Sequence, residues 1–218
     1  MKVRKEYLDA LEKLKKDTLK MGELSQIAAK NAIAALVNHD KTLASNLLEA
    51  NSVIDKIEFE IENQCMRLLA LQQPMAGDLR LIGTCLKIIT DLDRISDLAG
   101  DIAEIVVQIA DEPYAKPLID IPRISEITQG MLTDCLAAFE TQKIEQLQDF
   151  SERDDLVDGL FGQIRRELVA IMIENPRAIT SASHLIFIAL HQERIADHAC
   201  NIASRIIYMV TGERKKLE

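Results

Sequence analysis

Tryptophan is absent from this chain of 218 residues, and aromatic residues account for only 4% of it. The sequence therefore argues against a platform on which nucleic-acid bases stack. Basic residues are also in deficit, since 26 Lys and Arg face 35 Asp and Glu and leave a formal net charge of -9. Because a phosphate backbone requires a basic surface, both shortages argue against nucleic acid as a direct partner.

Long apolar runs are missing as well. No stretch reaches the length of a membrane span, and the N-terminal sequence MKVRKEYLDALEKLKK lacks the apolar core of a signal peptide. The four cysteines are scattered and include no C-x-x-C pair, which favours buried thiols in a reducing compartment. We expect a soluble, cytoplasmic protein.

Glycine and proline are scarce, at eight and five residues. Apolar residues recur at helical spacing along nearly the whole chain, which predicts an all-α fold. Helix breaks are expected at residues 39–40, 72–78, 140–143 and 174–181, and the Pro-dense segment DEPYAKPLIDIP separates two groups of three long helices. We predict a first three-helix bundle over residues 1–112, a Pro-rich linker over 113–122 and a second three-helix bundle over 123–218.

The two halves of the sequence resemble each other. DLDRISDLAGDIA aligns with HQERIADHACNIA, and polar positions match at a separation of 100 residues: 93 with 193, 97 with 197 and 101 with 201. NSVIDKIEFEI aligns more loosely with DDLVDGLFGQI and pairs Asp55 with Asp158. Polar residues matched in the same order indicate a duplicated unit. Because short connections place sequential helices antiparallel, each unit is predicted to run up, down and up.

Acidic residues interrupt the predicted core rows of the third and sixth helices. Asp93 follows Leu79 and Leu86 in a heptad row, and Glu193 stands at the equivalent place in the second half. An unpaired carboxylate at such a position costs several kcal/mol or takes up a proton. Three neutralisers are available, namely the neighbouring arginines, a proton or a bound cation. All-oxygen clusters favour hard ions such as Mg²⁺, Mn²⁺ and Ca²⁺, or iron.

These residues resemble the PhoU family of phosphate-uptake regulators. The match is carried by ALQQPMAGDLRLIGTCLKIITDLDRISDLAGDIAE, RDDLVDGLFGQIRREL and ERIADHACNIASRIIYMVTGE, and it extends from MGELSQIAAKNAIAAL to Gly212. The resemblance implies an (E/D)-x-x-x-D metal motif in each bundle for divalent or trivalent ions (Mg, Mn, Fe or Ca). The ligands that it implies are Asp93, Asp97, Asp101, Glu193, Asp197, Asn201, Asp55 and Asp158.

The chain departs from the family pattern in its first half. Asp93 stands where the family usually has Glu, Ser96 where it often has Gly, and Asp101 where it usually has Asn.

The resemblance implies a non-enzymatic negative regulator of phosphate uptake and of the phosphate-starvation response. The implied partners are the ATPase subunit of the phosphate ABC transporter and a phosphate-sensing histidine kinase. Homodimers are common in the family, and such partners would hold the protein at the inner face of the membrane.

Two other functions compete with this interpretation. A ferritin-like di-metal carboxylate enzyme would also stack acids on helices, but it is built on Glu-x-x-His pairs, and the sequence contains none. A metal-free helical scaffold would use Arg94 and Arg194 to neutralise the acids. The four histidines are expected to have surface or structural roles, and the charged C-terminal segment ERKKLE is expected to fray.

Overall fold

The computed structural model describes residues 2–217, apart from the side chains of residues 2, 3 and 72. Six long helices follow in order: α1 Lys2–Val37, α2 Lys41–Gln72, α3 Ala76–Ile109, α4 Asp120–Thr141, α5 Phe150–Glu174 and α6 Ile179–Thr211. Two short 3₁₀ turns, Glu145–Leu147 and Pro176–Ala178, precede α5 and α6. The molecule is 87% helical and has no strand in its described part, which confirms the all-α prediction.

Local side-chain chemistry ends and restarts the helices at the expected places. Asp40 caps α2, because its carboxylate accepts a hydrogen bond from the Leu43 amide at 2.9 Å. Gln73 ends α2 in the left-handed conformation, directly before Pro74. Gly212 ends α6 at a φ of 79°, a conformation that glycine adopts without steric cost.

The connection between α3 and α4 contacts both groups of helices. The Tyr114 hydroxyl donates to the carbonyl of Leu36 at 2.7 Å, and the Ala115 amide donates to Ser181 Oγ at 3.0 Å. Helix α4 begins at Asp120, within the segment predicted as linker. Pro122 is compatible with this start, because the first helical turn needs no amide donor there.

Helices α3 and α6 form the centre of a continuous apolar core. They run antiparallel, since His198 Nδ1 lies 2.9 Å from Asp91 Oδ1 while His191 Nδ1 lies 3.9 Å from Asp101 Oδ2. Ser96 and the equivalent Ala196 are buried, and Ser96 faces α2, because its hydroxyl donates a hydrogen bond to Asn51. Helix α3 packs on α1 and α2, and α6 packs on α4 and α5 in the same way.

The heptad row of Asp93 lies at the edge of the core rather than in its centre. Leu79 and Ile179, which begin this row in the two halves, are 49% and 47% exposed. The companion row through Ile82, Ile89 and Ser96 is fully buried. Because α3 contacts three other helices, its buried arc is wider than a single heptad seam, and the acidic row borders it.

Residues 213–217 fold back, so the expectation that the segment ERKKLE frays is wrong for its described part, and Glu218 lies outside the described residues. Leu217 is only 2% exposed, and its carbonyl accepts a hydrogen bond from Ser151 Oγ at 2.9 Å. One buried leucine within a charged segment supplies the apolar contact that holds the end of the chain against α5.

The four cysteines are free and buried, as the sequence predicts. Burial raises the pKa of the Cys65 thiol to about 12 and that of Cys85 to about 11, which keeps both protonated and unreactive. Among the helices described, none has a stretch that is both long and apolar enough to cross a bilayer.

Candidate metal centre

The first carboxylate cluster lies between α2 and α3. It comprises Asp93 and Asp97 on α3 with Asp55 and Glu58 on α2. Burial raises the pKa of Asp93, and repulsion from Asp97 and Asp55 raises it further. The pKa of Glu58 is also raised by burial and then by the charge of Asp93. Asp93 is therefore half-buried beside other acids of α2 and α3.

The second carboxylate cluster lies between α5 and α6. It comprises Glu193 and Asp197 on α6 with Asp154 and Asp158 on α5. Burial, followed by repulsion from Asp197 and Asp158, raises the pKa of Glu193 to about 7. Burial and the same two neighbours raise the pKa of Asp154 to about 6. Both halves of the chain therefore concentrate negative charge at equivalent places.

Arginine neutralises these clusters only in part. Arg94 Nη1 lies 3.1 Å from Asp97 Oδ2, one turn along α3, although the arginine side chain is 62% exposed. The charge of Arg94 lowers the pKa of Asp93, but burial and the neighbouring acids outweigh it. Arg194 acts on Glu193 in the same direction and is outweighed in the same way. An exposed ion pair contributes about 0–1 kcal/mol, which is too little to balance four carboxylates.

The two clusters border a shared cleft of about 1220 Å³ over the crossing of α3 and α6. Of the predicted ligands, the structure brings five to the lining of this cleft: Asp97, Asp101, Asp158, Asp197 and Asn201. The other three predicted ligands belong to the clusters but do not line the cleft: Asp93, Glu193 and Asp55. The cleft therefore joins the acidic surfaces of both halves.

Asp101 differs from its equivalent Asn201 in its surroundings. Its side chain is 54% exposed and lies 3.9 Å from His191 Nδ1 on the opposite helix. Burial lowers the pKa of His191, which keeps the imidazole neutral and weakens this pairing. His198, in contrast, makes a close contact with Asp91 between the halves. Both histidines lie at the contact between α3 and α6.

Sequence reasoning missed two members of the clusters, Glu58 and Asp154. Asp154 was detectable, because it lies 103 residues after Asn51, the same separation as between Asp55 and Asp158. Asn51 itself accepts a hydrogen bond from Ser96 at the α2–α3 contact. The first half therefore has a neutral amide where the second half has a carboxylate.

The chemistry of the donors fits a hard cation, because carboxylate oxygens dominate both clusters. In the described residues, however, no group of three or more His, Cys, Asp or Glu side chains is close enough together to hold a metal ion. The helices thus supply suitable ligands at neighbouring positions, and the side chains would have to converge around an ion.

Fold and clusters together define a duplicated, all-helical protein with one acidic cluster in each half. The family model of the PhoU domain matches this chain twice, at residues 18–106 and 121–206. The chain belongs to the PhoU family.

Several relatives match along nearly their whole length. A protein of Aquifex aeolicus named "Phosphate-specific transport system accessory protein PhoU homolog" is 42% identical over 203 residues, 93% of this chain and 92% of the relative. A Clostridium acetobutylicum protein of the same name is 33% identical over 215 residues, 98% of each chain. The crystal structure of PhoU from Pseudomonas aeruginosa superposes with a TM-score of 0.91 at 34% identity and covers 95% of this chain and 100% of that one.

Proposed function

We propose that this protein is an accessory regulator of phosphate transport that lowers phosphate uptake and the phosphate-starvation response when phosphate is plentiful. It acts as a non-enzymatic, cytoplasmic adaptor for the ATPase subunit of a phosphate ABC transporter and for a phosphate-sensing histidine kinase, and it forms a homodimer. Membership of the PhoU family supports this proposal, because the relatives are named accessory proteins of the phosphate-specific transport system.

One observation carries the metal-binding part of the proposal. Each half of the chain holds a cluster of carboxylates in which burial, followed by repulsion from the neighbouring acids, raises the pKa of Asp93 or Glu193. Repulsion between half-buried carboxylates destabilises a helix pair unless a ligand offsets the charge. A divalent or trivalent cation (Mg, Mn, Fe or Ca) supplies the missing positive charge.

The residues that would hold the ions follow from the two clusters. Asp93, Asp97, Asp55 and Glu58 would serve the first cluster, and Glu193, Asp197, Asp154 and Asp158 would serve the second. Asp101 and Asn201 would contribute from the rim of the cleft. Bound ions would draw α2 towards α3 and α5 towards α6, and they would reduce the negative charge that the cleft presents to a partner.

A pull-down from cells grown at high and low phosphate tests the adaptor role. Tagged protein is captured without chelator, and mass spectrometry identifies the proteins that come with it. We expect the transporter ATPase subunit and the histidine kinase at high phosphate. A matched variant with two exposed α1 acids removed, Asp9→Asn/Glu12→Gln, should recover the same proteins.

Two outcomes of the pull-down would contradict parts of this proposal. If neither growth condition recovers any component of a phosphate transporter or phosphate sensor, the adaptor role is wrong. If recovery is unchanged by Asp93→Asn/Asp97→Asn and by Glu193→Gln/Asp197→Asn, the adaptor role stands and the clusters play no part in partner binding.

A further inference from the structure

A thiol adjoins the second carboxylate cluster. Cys200 on α6 is only 1% exposed, and it follows Glu193 by seven positions and Asp197 by three. Residues at these separations share one face of a helix, because seven residues make about two turns. Cys200 therefore adds a sulfur atom to the face of α6 that carries the two carboxylates.

The Cys200 side chain contacts the cluster directly. Its thiol donates a hydrogen bond to the carboxylate of Asp154 on α5. Burial and the charges of Asp197 and Asp158 raise the pKa of Asp154 to about 6. The hydrogen bond from Cys200 opposes this rise, because it favours the ionised carboxylate. A sulfur atom and carboxylate oxygens thus meet between α5 and α6.

Asp154 connects this thiol to the cleft. The side chain of Asp154 lines the cleft of about 1220 Å³, whereas Cys200 is buried and does not line it. A cation that enters the cleft therefore reaches the thiol by way of Asp154. Such a cation can take the place of the hydrogen-bonded proton, so that a bond from sulfur to the metal replaces the bond from sulfur to hydrogen. The displaced proton leaves to solvent through the cleft.

The equivalent place in the first half has neither a thiol nor a carboxylate. Gly100 is the equivalent of Cys200, and a Cβ on Gly100 would meet Asn51 Nδ2 at 3.2 Å. Asn51 is the equivalent of Asp154. The hydroxyl of Ser96 donates a hydrogen bond to the amide oxygen of Asn51. The first half therefore has a neutral, hydrogen-bonded amide beside a glycine where the second half has a carboxylate beside a thiol.

The first cluster takes its fourth carboxylate from another position. Glu58 supplies it, and the residue equivalent to Glu58 in the second half is Phe161. Glu58 follows Asn51 by seven residues, so it lies about two turns along α2 from the place that corresponds to the thiol. Each cluster thus has four carboxylates, but only the second has a sulfur atom in contact with one of them.

We propose that Cys200 is a metal ligand of the second cluster and makes this cluster selective for a thiophilic divalent cation such as Fe²⁺ or Zn²⁺, while the first cluster retains hard ions such as Mg²⁺. The inference deepens the metal binding proposed above and rests on it. Thiolate ligands favour softer cations, whereas carboxylate oxygens favour hard ones. The chain therefore carries two centres of different preference within one duplicated fold.

Cobalt binding tests this inference on the purified, full-length protein after a chelator has removed its metal. Co²⁺ is the probe, because thiolate-to-cobalt charge transfer absorbs in the near ultraviolet and carboxylates give no such band. Plasma mass spectrometry counts the cobalt that stays bound after gel filtration. The variant is Cys200→Ser, which nearly keeps the size of the side chain. The matched control is Cys135→Ser, since Cys135 is equally buried and its thiol donates to the carbonyl of Ala199 at 3.4 Å.

We expect the charge-transfer band in the wild type and in Cys135→Ser, and its loss in Cys200→Ser, which should still bind cobalt at the first cluster. An excess of Mg²⁺ should leave the band in place, whereas Zn²⁺ should abolish it by displacing cobalt. Circular dichroism shows whether both variants are folded, and the wild-type spectrum decides the question without them.

Three results would overturn the inference. Cobalt bound to the wild type without the band would exclude Cys200 as a ligand and leave the proposed metal binding intact. A band that persists in Cys200→Ser, or that only Cys135→Ser loses, would assign the ligand to another thiol. A wild type that binds no cobalt would overturn both this inference and the metal binding on which it rests.

Discussion

Gln26 and Gln129 donate their side-chain amides to each other's backbone carbonyl oxygens, at 3.3 and 3.4 Å. They stand 103 residues apart, the separation that also relates Asp55 to Asp158. The contact joins α1 to α4, whereas the contact of His198 with Asp91 joins α6 to α3. Equivalent residues thus face each other on both sides of the molecule, and the sequence duplication is a near two-fold symmetry in space.

Loss of either glutamine amide should weaken this contact between the bundles. Gln129→Ala is expected to lower the free energy of unfolding by about 0.5–1.5 kcal/mol, because it removes one half-buried hydrogen bond. Gln26→Ala should cost at least as much, because the Gln26 amide also donates to Thr133 Oγ1 at 2.7 Å. Urea denaturation measures the change. The exposed Gln108→Ala serves as control and should be neutral or slightly stabilising. A cost for Gln108→Ala as large as for the other two would refute this interpretation.

Lys116 and Lys13 occupy equivalent positions in the two halves but should differ in how much each contributes to the free energy of unfolding. Lys116 is 16% exposed and pairs with both Glu167 and Asp120, whereas Lys13 is 64% exposed and pairs with Asp17 alone. Lys116→Met should cost about 1–3 kcal/mol because it leaves a half-buried carboxylate unpaired. Lys13→Met should cost less than about 1 kcal/mol. Thermal unfolding of the two variants checks the order, and equal losses would contradict it.

Ala196 should tolerate no larger side chain. It is fully buried on α6, at the position equivalent to Ser96, so Ala196→Leu overpacks the core and should cost about 1–3 kcal/mol or more. Ala50→Leu, on the exposed face of α2, is the control and should change stability by less than about 0.5 kcal/mol. Unchanged stability of Ala196→Leu would show that the core is not closely packed around this position of α6.

The pH dependence of the metal-free protein should reveal Glu193. Its pKa is about 7 in the folded chain against an ordinary value of 4.5. The folded chain therefore holds the proton more tightly, so this stabilisation is complete below pH 4.5 and is lost as the pH rises through about 7. Glu193→Gln remains neutral throughout. Wild-type stability relative to Glu193→Gln should fall across this window in urea titrations with chelator, and a constant difference would contradict the raised pKa.

The periodicity of apolar residues was sufficient to predict the helices, and the positions of Gly, Pro and capping residues were sufficient to predict the breaks between them. Asp40 supplies a cap that local chemistry dictates, and the proline-rich connection cannot continue a helix. Asp93 and Glu193 were found because they break a heptad pattern, and a pattern of seven is visible without coordinates. The position of Asp93 at the edge of the core could not be predicted from the sequence, since it depends on α3 packing against three helices at once.

Other features depend on contacts between distant segments. Glu58 joins the first cluster through the register of α2 on α3, which periodicity leaves open. Leu217 is buried because a charged segment turns back onto α5, and a single leucine among charges gives no sequence signal. The pairing of His198 with Asp91 likewise requires the antiparallel crossing of α3 and α6. The place of Glu58 in the cluster, the burial of Leu217 and the contact of His198 all depend on tertiary packing rather than on local sequence propensity.

Metal analysis of protein purified without chelator tests the central claim most directly. Inductively coupled plasma mass spectrometry should find bound cation in the wild type and in the control Asp9→Asn/Glu12→Gln. Asp93→Asn/Asp97→Asn and Glu193→Gln/Asp197→Asn should each lose part of it, and the combined variant should retain none. Equal metal content in the wild type and in the combined variant would contradict the account.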